Sequence, residues 1–275
     1  MAQVENLFDI SGQSVVITGG AGVLCGGMAK ALAARGAKVA IVDFDVARAN
    51  ALAQEIQADG GLAVAFQANV LDKPSIENAF AGVVDSLGAI DVLINGAGGN
   101  KKEATCAPPT SFFDLPADAI RWVFDLNILG TMLPSQVFGR QIAAQGHGNI
   151  INISSMNSFR PLTNIAAYSA AKAAVSNFTQ WLATYMAQRH SPKIRVNAIA
   201  PGFFITRQNR FLLTDERTGQ LTPRGQQVIA HTPMNRFGAP EDLIGATIWL
   251  MSAASSFVTG IIVPIDGGFS AYSGV

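Results

Sequence analysis

The chain has 275 residues, 49% of them apolar, enough to bury a sizeable core in one large α/β domain or two small ones. Its 19 basic and 19 acidic residues cancel, so no overall field draws it to nucleic acid or to an anionic membrane. Two isolated cysteines rule out a disulfide framework and fit a reducing, cytoplasmic setting, and three scattered histidines argue against a metal site.

The N-terminal stretch MAQVENLFDISGQ lacks the basic flank and apolar core of a secretory signal. The longest apolar stretch, around LIGATIWLMSAA, is about half of the ~20 residues that span a bilayer. Short β-branched runs then alternate with segments of helical period: SVVIT (14–18), KVAIVD (38–43), LAVAFQ (62–67), DVLIN (91–95), GNIINIS (148–154), IRVNAIA (194–200) and GIIVPID (260–266). This alternation predicts an α/β fold, a single doubly wound Rossmann-type domain over 1–275 with a seven-stranded parallel sheet and helices on both faces.

The first turn, TGGAGVLCGG, reads as a loop that holds a phosphate, yet its glycines depart from the usual T-G-x-x-x-G-x-G. Val23 and Cys25 stand where glycines are expected. Gly19, Gly20 and Gly22 still supply permissive backbone, and a helix starting near Val23 and Leu24 would offer free N–H groups to an anion. Cys25 can replace the packing glycine if Gly26 and Gly27 leave room for it. The second strand ends in Asp43, which can accept bonds from ribose hydroxyls or cap the next helix. A 2′-phosphate would be repelled there, and the residues that follow, Phe44 and Asp45, are not basic, so NAD is favoured over NADP.

Two connections are long, Gly98 to Pro116 and Pro201 to about Ala239. Both leave the carboxyl ends of strands, where ligands bind in open sheets, and so should wall a site. The segment 166–190 is helical in period but apolar on more than one face, which suggests a second buried face against another subunit or under the chain's own loops. It opens with YSAAK, placing Tyr168 and Lys172 one turn apart on one face. A nearby ammonium favours the phenolate, so the pair can serve as a tuned acid and base. Ser155 ends the fifth strand at the same sheet edge. Asn127 lies in the middle of the preceding helix.

With these residues in place the chain resembles the short-chain dehydrogenase/reductase family along nearly its whole length. The resemblance implies that Tyr168 exchanges the proton of the carbonyl or alcohol oxygen and Ser155 hydrogen-bonds that oxygen. It implies that Lys172 tunes the tyrosine and holds the nicotinamide ribose, while Asn127 supports a proton relay. It further implies that NAD is bound by Gly19, Gly22, Val23, Leu24, Asp43, Asn69, Val70, Asn95, Gly96, Ala97, Tyr168, Lys172, Pro201, Gly202, Ile205 and Thr206, and that the protein is a homotetramer.

Finer detail, above all APGFFITRQNRFLLTDERTGQLTPRGQQVIAHTPMNRFG, resembles the D-mannonate oxidoreductase (fructuronate reductase) branch. Asn100, Asn157, Arg160, Arg207, Asn209 and Arg210, with Gln208, are candidates for an anionic polyol, since arginine binds a carboxylate as a fork. A gluconate 5-dehydrogenase-like or other polyol dehydrogenase is the alternative. A dinucleotide-binding regulatory protein without turnover is the alternative from another class. An enoyl reductase is disfavoured, because that relative spaces its tyrosine and lysine more widely.

Overall fold

A computed structural model describes residues 6–206, 209–215 and 217–274. Its elements run β1 (Ser14–Thr18), α1 (Val23–Ala34), β2 (Lys38–Asp43), α2 (Val46–Ala58), β3 (Leu62–Gln67), α3 (Lys73–Leu87) and β4 (Val92–Asn95). There follow α4 (Ala117–Phe124), α5 (Gly130–Gln145), β5 (Gly148–Ile153), α6 (Ala166–Arg189), β6 (Ile194–Pro201), α7 (Arg210–Leu213), α8 (Pro223–Ala230), α9 (Ile244–Met251) and β7 (Ile262–Ile265).

All strands pair in parallel in the order β3-β2-β1-β4-β5-β6-β7. Parallel strands buried on both faces read as continuous apolar runs, and the period of two decides which face each side chain joins. Thus Val15 and Ile17 of β1 pack with Met28 and Leu32 of α1, whereas Val16 between them packs with Ile76, Val83, Phe138 and Ile142 on the opposite face. Phe138 is fully buried, and truncating it to alanine would cost about 3–5 kcal/mol.

Strand and helix ends follow local chemistry. The side chain of Asp45 caps α2 by accepting the Arg48 N–H, and α5 stops at Gly146, whose φ of 72° opens the left-handed cap. β7 is shorter than the run GIIVPID suggests, because Gly260 and Gly267, at φ 78° and 63°, turn the backbone out of the ladder on either side. Between α4 and α5 the segment Asp125–Leu129 is a turn of π-helix, which helical periodicity alone does not announce.

The strand order reverses between β1 and β4, so the chain leaves these neighbours in opposite directions and opens a crevice at their carboxyl ends. The loops after β1 and β4 lie side by side there, joined by the Gly96 N–H to the Thr18 carbonyl at 3.1 Å. The two long connections flank the crevice. That after β6 carries α7 and α8, and its two arms meet in a bridge between Phe204 and Gly238.

Candidate active site

Gly19 adopts φ 61°, and a Cβ there would come within 2.8 Å of the Ala97 backbone, so the turn after β1 touches the turn after β4 main chain to main chain. Gly22 is the N-cap of α1 in extended conformation. The helix has no side-chain cap and no acidic residue in its first turn. Its positive end, including the Val23 and Leu24 amides, is therefore open to an anion. The room for Cys25 does not come from Gly26 and Gly27, which face Leu52 and Pro240 instead. It comes from Gly96, where any Cβ would overlap Cys25 Sγ. Burial, with Asp43 adding to it, pushes the Cys25 thiol up to about 12, so the thiol stays neutral.

At the far end of this loop Asp43 accepts the Ala21 N–H on one carboxylate oxygen and the Asp45 N–H on the other, both at 3.0 Å. The helix cap is Asp45, so Asp43 braces the loop and leaves its remaining lone pairs for a ligand. Arg48, in the first turn of α2, reaches back to donate to the Ala21 carbonyl at 2.6 Å. The absence of a basic residue directly after Asp43 therefore does not describe the site, because the helix returns an arginine to it. Asn69 turns its carbonyl onto its own loop, accepting the Leu71 N–H, and buried Val70 packs against Gly130. Asn95, expected at the cofactor, points into the core instead. It is buried and donates to Ser135 and Asn152, so its side chain is spent in the core.

Ser155, Tyr168, Lys172 and Asn127 gather between β5, α6 and the turn after β4. Ser155 leaves β5 with its hydroxyl accepting the Asn157 N–H at 3.3 Å. Lys172 is buried and donates to the Ile153 carbonyl at 2.7 Å, with Nζ 5.6 Å from the centre of the Tyr168 ring. Burial lowers the Lys172 ammonium to about 8. Burial also raises the Tyr168 phenol above its usual value, with Ser155 pulling it partly back. The expected depression of the tyrosine by the ammonium does not appear: desolvation raises it and Ser155 is what opposes. Asn127 sits on the π-turn, fully buried. It donates to the Gly99 and Val123 carbonyls at 2.7 Å and accepts the Gly99 N–H, clamping the turn after β4.

The substrate candidates divide. Asn157 is buried and directed at Ser169. Asn209 spends both ends of its amide on the Phe204 carbonyl and the Thr206 N–H, bracing the loop after β6 that carries Ile205 and Thr206 and follows Pro201 and Gly202. Asn100 donates to Thr105 while its own carbonyl oxygen is buried and unpaired. Arg160 is exposed and touches the Ser270 carbonyl at 3.3 Å, and Arg210 is exposed at the start of α7. Arg207 and Gln208 lie outside the described residues.

Sequence reasoning missed Arg48, although its place three residues after the capping Asp45 put it on the first turn of a helix beginning beside Asp43. It also missed Gly98, where a Cβ would press on both Asn127 and Lys172.

Known proteins are similar to this chain over nearly its whole length. A family model described as enoyl-(acyl carrier protein) reductase matches residues 22–270. The uncharacterized oxidoreductase UxuB of Bacillus subtilis is 48% identical over 97% of this chain and 98% of its own. A Haemophilus influenza protein, provisionally named a D-mannonate oxidoreductase and solved with bound NAD, superimposes with TM-score 0.90 at 46% identity, covering 97% of this chain and 98% of that one. A gluconate 5-dehydrogenase from Burkholderia cenocepacia, solved with NADP and tartrate, gives 0.87 at 31% identity over 98% and 99%. Matches that run the length of the sheet and through both long connections leave one conclusion, that the chain belongs to the short-chain dehydrogenase/reductase family.

Proposed function

We propose that the protein is a nicotinamide-dependent oxidoreductase of sugar acids, interconverting a secondary alcohol and a ketone, with D-mannonate and D-fructuronate as its substrate pair. The observation that carries this reading is the convergence of Ser155, Tyr168, Lys172 and Asn127 beside the open amino end of α1. The residues present fit a dinucleotide. An uncapped helix start suits a pyrophosphate, and Asp43 keeps acceptor capacity for ribose hydroxyls.

Gly19, Gly22, Val23 and Leu24 would hold the phosphates, Asp43 the adenosine ribose, and the Gly96, Ala97, Ile205 and Thr206 segments the nicotinamide end. A nicotinamide held there would supply or accept the hydride. Tyr168 donates its proton to the ketone oxygen in reduction and takes it back in oxidation, and its raised pKa keeps it protonated and ready to donate at neutral pH. Ser155 hydrogen-bonds the same oxygen. Lys172, poised near neutrality, supplies positive charge and a proton reserve beside the phenol. Asn127 holds the Gly99 peptide and with it the wall facing Lys172.

The connection 201–239 would wall the substrate side of the crevice, with Arg160, Arg207 and Arg210 the candidate cations for the carboxylate and Asn100 for the hydroxyls. NAD is the preferred cofactor, in keeping with the NAD bound by the Haemophilus influenza protein. Purified protein given D-fructuronate and NADH should oxidise the cofactor. No oxidation, with turnover of gluconate and NADP instead, would move the assignment to the gluconate 5-dehydrogenase reading, which the Burkholderia cenocepacia relative supports.

Along α6, Phe178, Trp181 and Tyr185 stack in sequence at 6.2 and 5.1 Å, with Trp181 56% exposed. We read this stripe as the subunit contact of a homotetramer. Light scattering on Trp181→Glu should show smaller species if it is.

A further inference from the structure

We propose that Cys25 and Gly96 form one reciprocal contact that sets the spacing between the loop after β1 and the turn after β4, making Cys25 a positioning residue for the dinucleotide. The proposal rests on the dinucleotide-binding reading above. Cys25 lies in the first turn of α1, two residues beyond the Val23 amide, and only 4% of its surface is exposed. Its sulfur fills the space that a side chain at position 96 would need. A Cβ at Gly96 would also come within 2.8 Å of the Thr18 carbonyl, the acceptor of the Gly96 N–H.

The two turns are thus held by three kinds of contact. Gly19 abuts the Ala97 backbone, Gly96 is hydrogen-bonded to Thr18, and the thiol is seated on Gly96. Only the third involves a side chain that substitution can shorten without disturbing a hydrogen bond. From Gly96 the chain continues to Gly98, where an added Cβ would meet Lys172 and Asn127, so the contact links the phosphate-facing amides of α1 to the acid–base group. The buried thiol is neutral across the working range and acts as a spacer rather than as a nucleophile. This accounts for a loop that keeps an open helix start while lacking glycine at position 25.

The test is a double-mutant cycle on the full chain with Cys25→Gly, Gly96→Ala and the two combined, read as the dissociation constant of NADH and as kcat and KM separately. Cys25→Gly should weaken NADH about tenfold while kcat at saturating cofactor changes much less, because the contact acts on placement of the binding groups. Gly96→Ala should lose at least as much. In the combined variant the losses should fall short of the product by about fivefold, recovery being partial because the Thr18 carbonyl still crowds position 96.

Independent, multiplying losses would overturn the proposal, as would wild-type NADH affinity in Cys25→Gly. A uniform fall in thermal stability with no change in NADH affinity would also overturn it. Should Gly96→Ala not fold, Cys25→Ala and Cys25→Ser decide the matter. Serine should retain more NADH affinity than alanine, and equal wild-type affinity in both would overturn the proposal. Wild-type protein that binds NADH yet shows no coupling defeats this inference alone, whereas wild-type protein that binds no dinucleotide defeats both it and the reading beneath it.

Discussion

Asn127 and Lys172 face each other across Gly98: a Cβ on that glycine would lie 2.8 Å from Asn127 Oδ1 and 3.1 Å from Lys172 Nζ. One element brings the amide, a π-turn between α4 and α5, and another the ammonium, the first turns of α6. The backbone after β4 passes between them with no space to spare. Gly98→Ala should therefore displace one of the two groups and lower kcat by about tenfold or more. An unchanged kcat would show that both side chains can yield.

Removing the phenol oxygen should separate chemistry from binding. Tyr168→Phe is expected to lower turnover by roughly a thousandfold, in the range for loss of a general acid, with NADH affinity within about twofold of wild type. Steady-state rates and fluorescence titration of NADH measure the two. Near-normal turnover would dismiss Tyr168 as the proton donor.

The burial of Lys172 makes stability depend on pH in a definite direction. Its pKa is about 8 when folded, below the 10.5 of an unperturbed lysine. The unfolded chain therefore binds the proton more tightly throughout the interval between these values, and stability rises with pH across it. The penalty is full below about pH 8 and absent above about 10.5, and a shift of this size corresponds to roughly 3 kcal/mol. Lys172→Met should lose this dependence. Denaturant unfolding at several pH values should show the variant gaining on wild type as pH falls through that window, and a constant difference would contradict it.

Opposite charges hold the two backbone groups of Ala21, Asp43 on its N–H and Arg48 on its carbonyl. Asp43→Ala should weaken NAD and move the NAD-to-NADP preference toward NADP by about tenfold, a change of about 1.4 kcal/mol. Arg48→Ala, which removes the cation instead, should move it the other way. Paired kcat/KM values for the two cofactors decide this. Equal ratios in both variants would remove the pair from cofactor choice.

Asn209 braces the loop after β6 through Phe204 and Thr206. Asn209→Ala should raise KM for the sugar acid more than it changes NADH affinity, with about 1 kcal/mol lost per hydrogen bond. If only NADH affinity falls, the brace serves the cofactor rather than the substrate segment.

Much of the sheet was legible in advance because a buried parallel strand needs a run of β-branched residues bounded by turn formers. Such runs place β1, β2 and β3 at the residues read for them. Tyr168 and Lys172 were legible for a similar reason, since helical pitch puts i and i+4 on one face. Ser155 followed from its place at a strand end.

Other features depend on segments far apart in the chain. Asn95 sits at the end of β4 beside the crevice, yet the pleat turns its amide inward to Ser135 and Asn152. Asn209 resembles a substrate ligand in composition but is consumed by its own loop. Arg48 rejoins Asp43 only because α2 folds back over the first turn, and Cys25 finds its space in Gly96, which is brought alongside by the pairing of β1 with β4. Periodicity and turn chemistry are local, so the sequence alone determined most of the strands and the shared helix face of Tyr168 and Lys172. Desolvation, hydrogen-bond direction and steric room are set by neighbours distant in sequence, and only the tertiary structure decided the lowered pKa of Lys172, the raised pKa of Tyr168 and the seat of the Cys25 thiol.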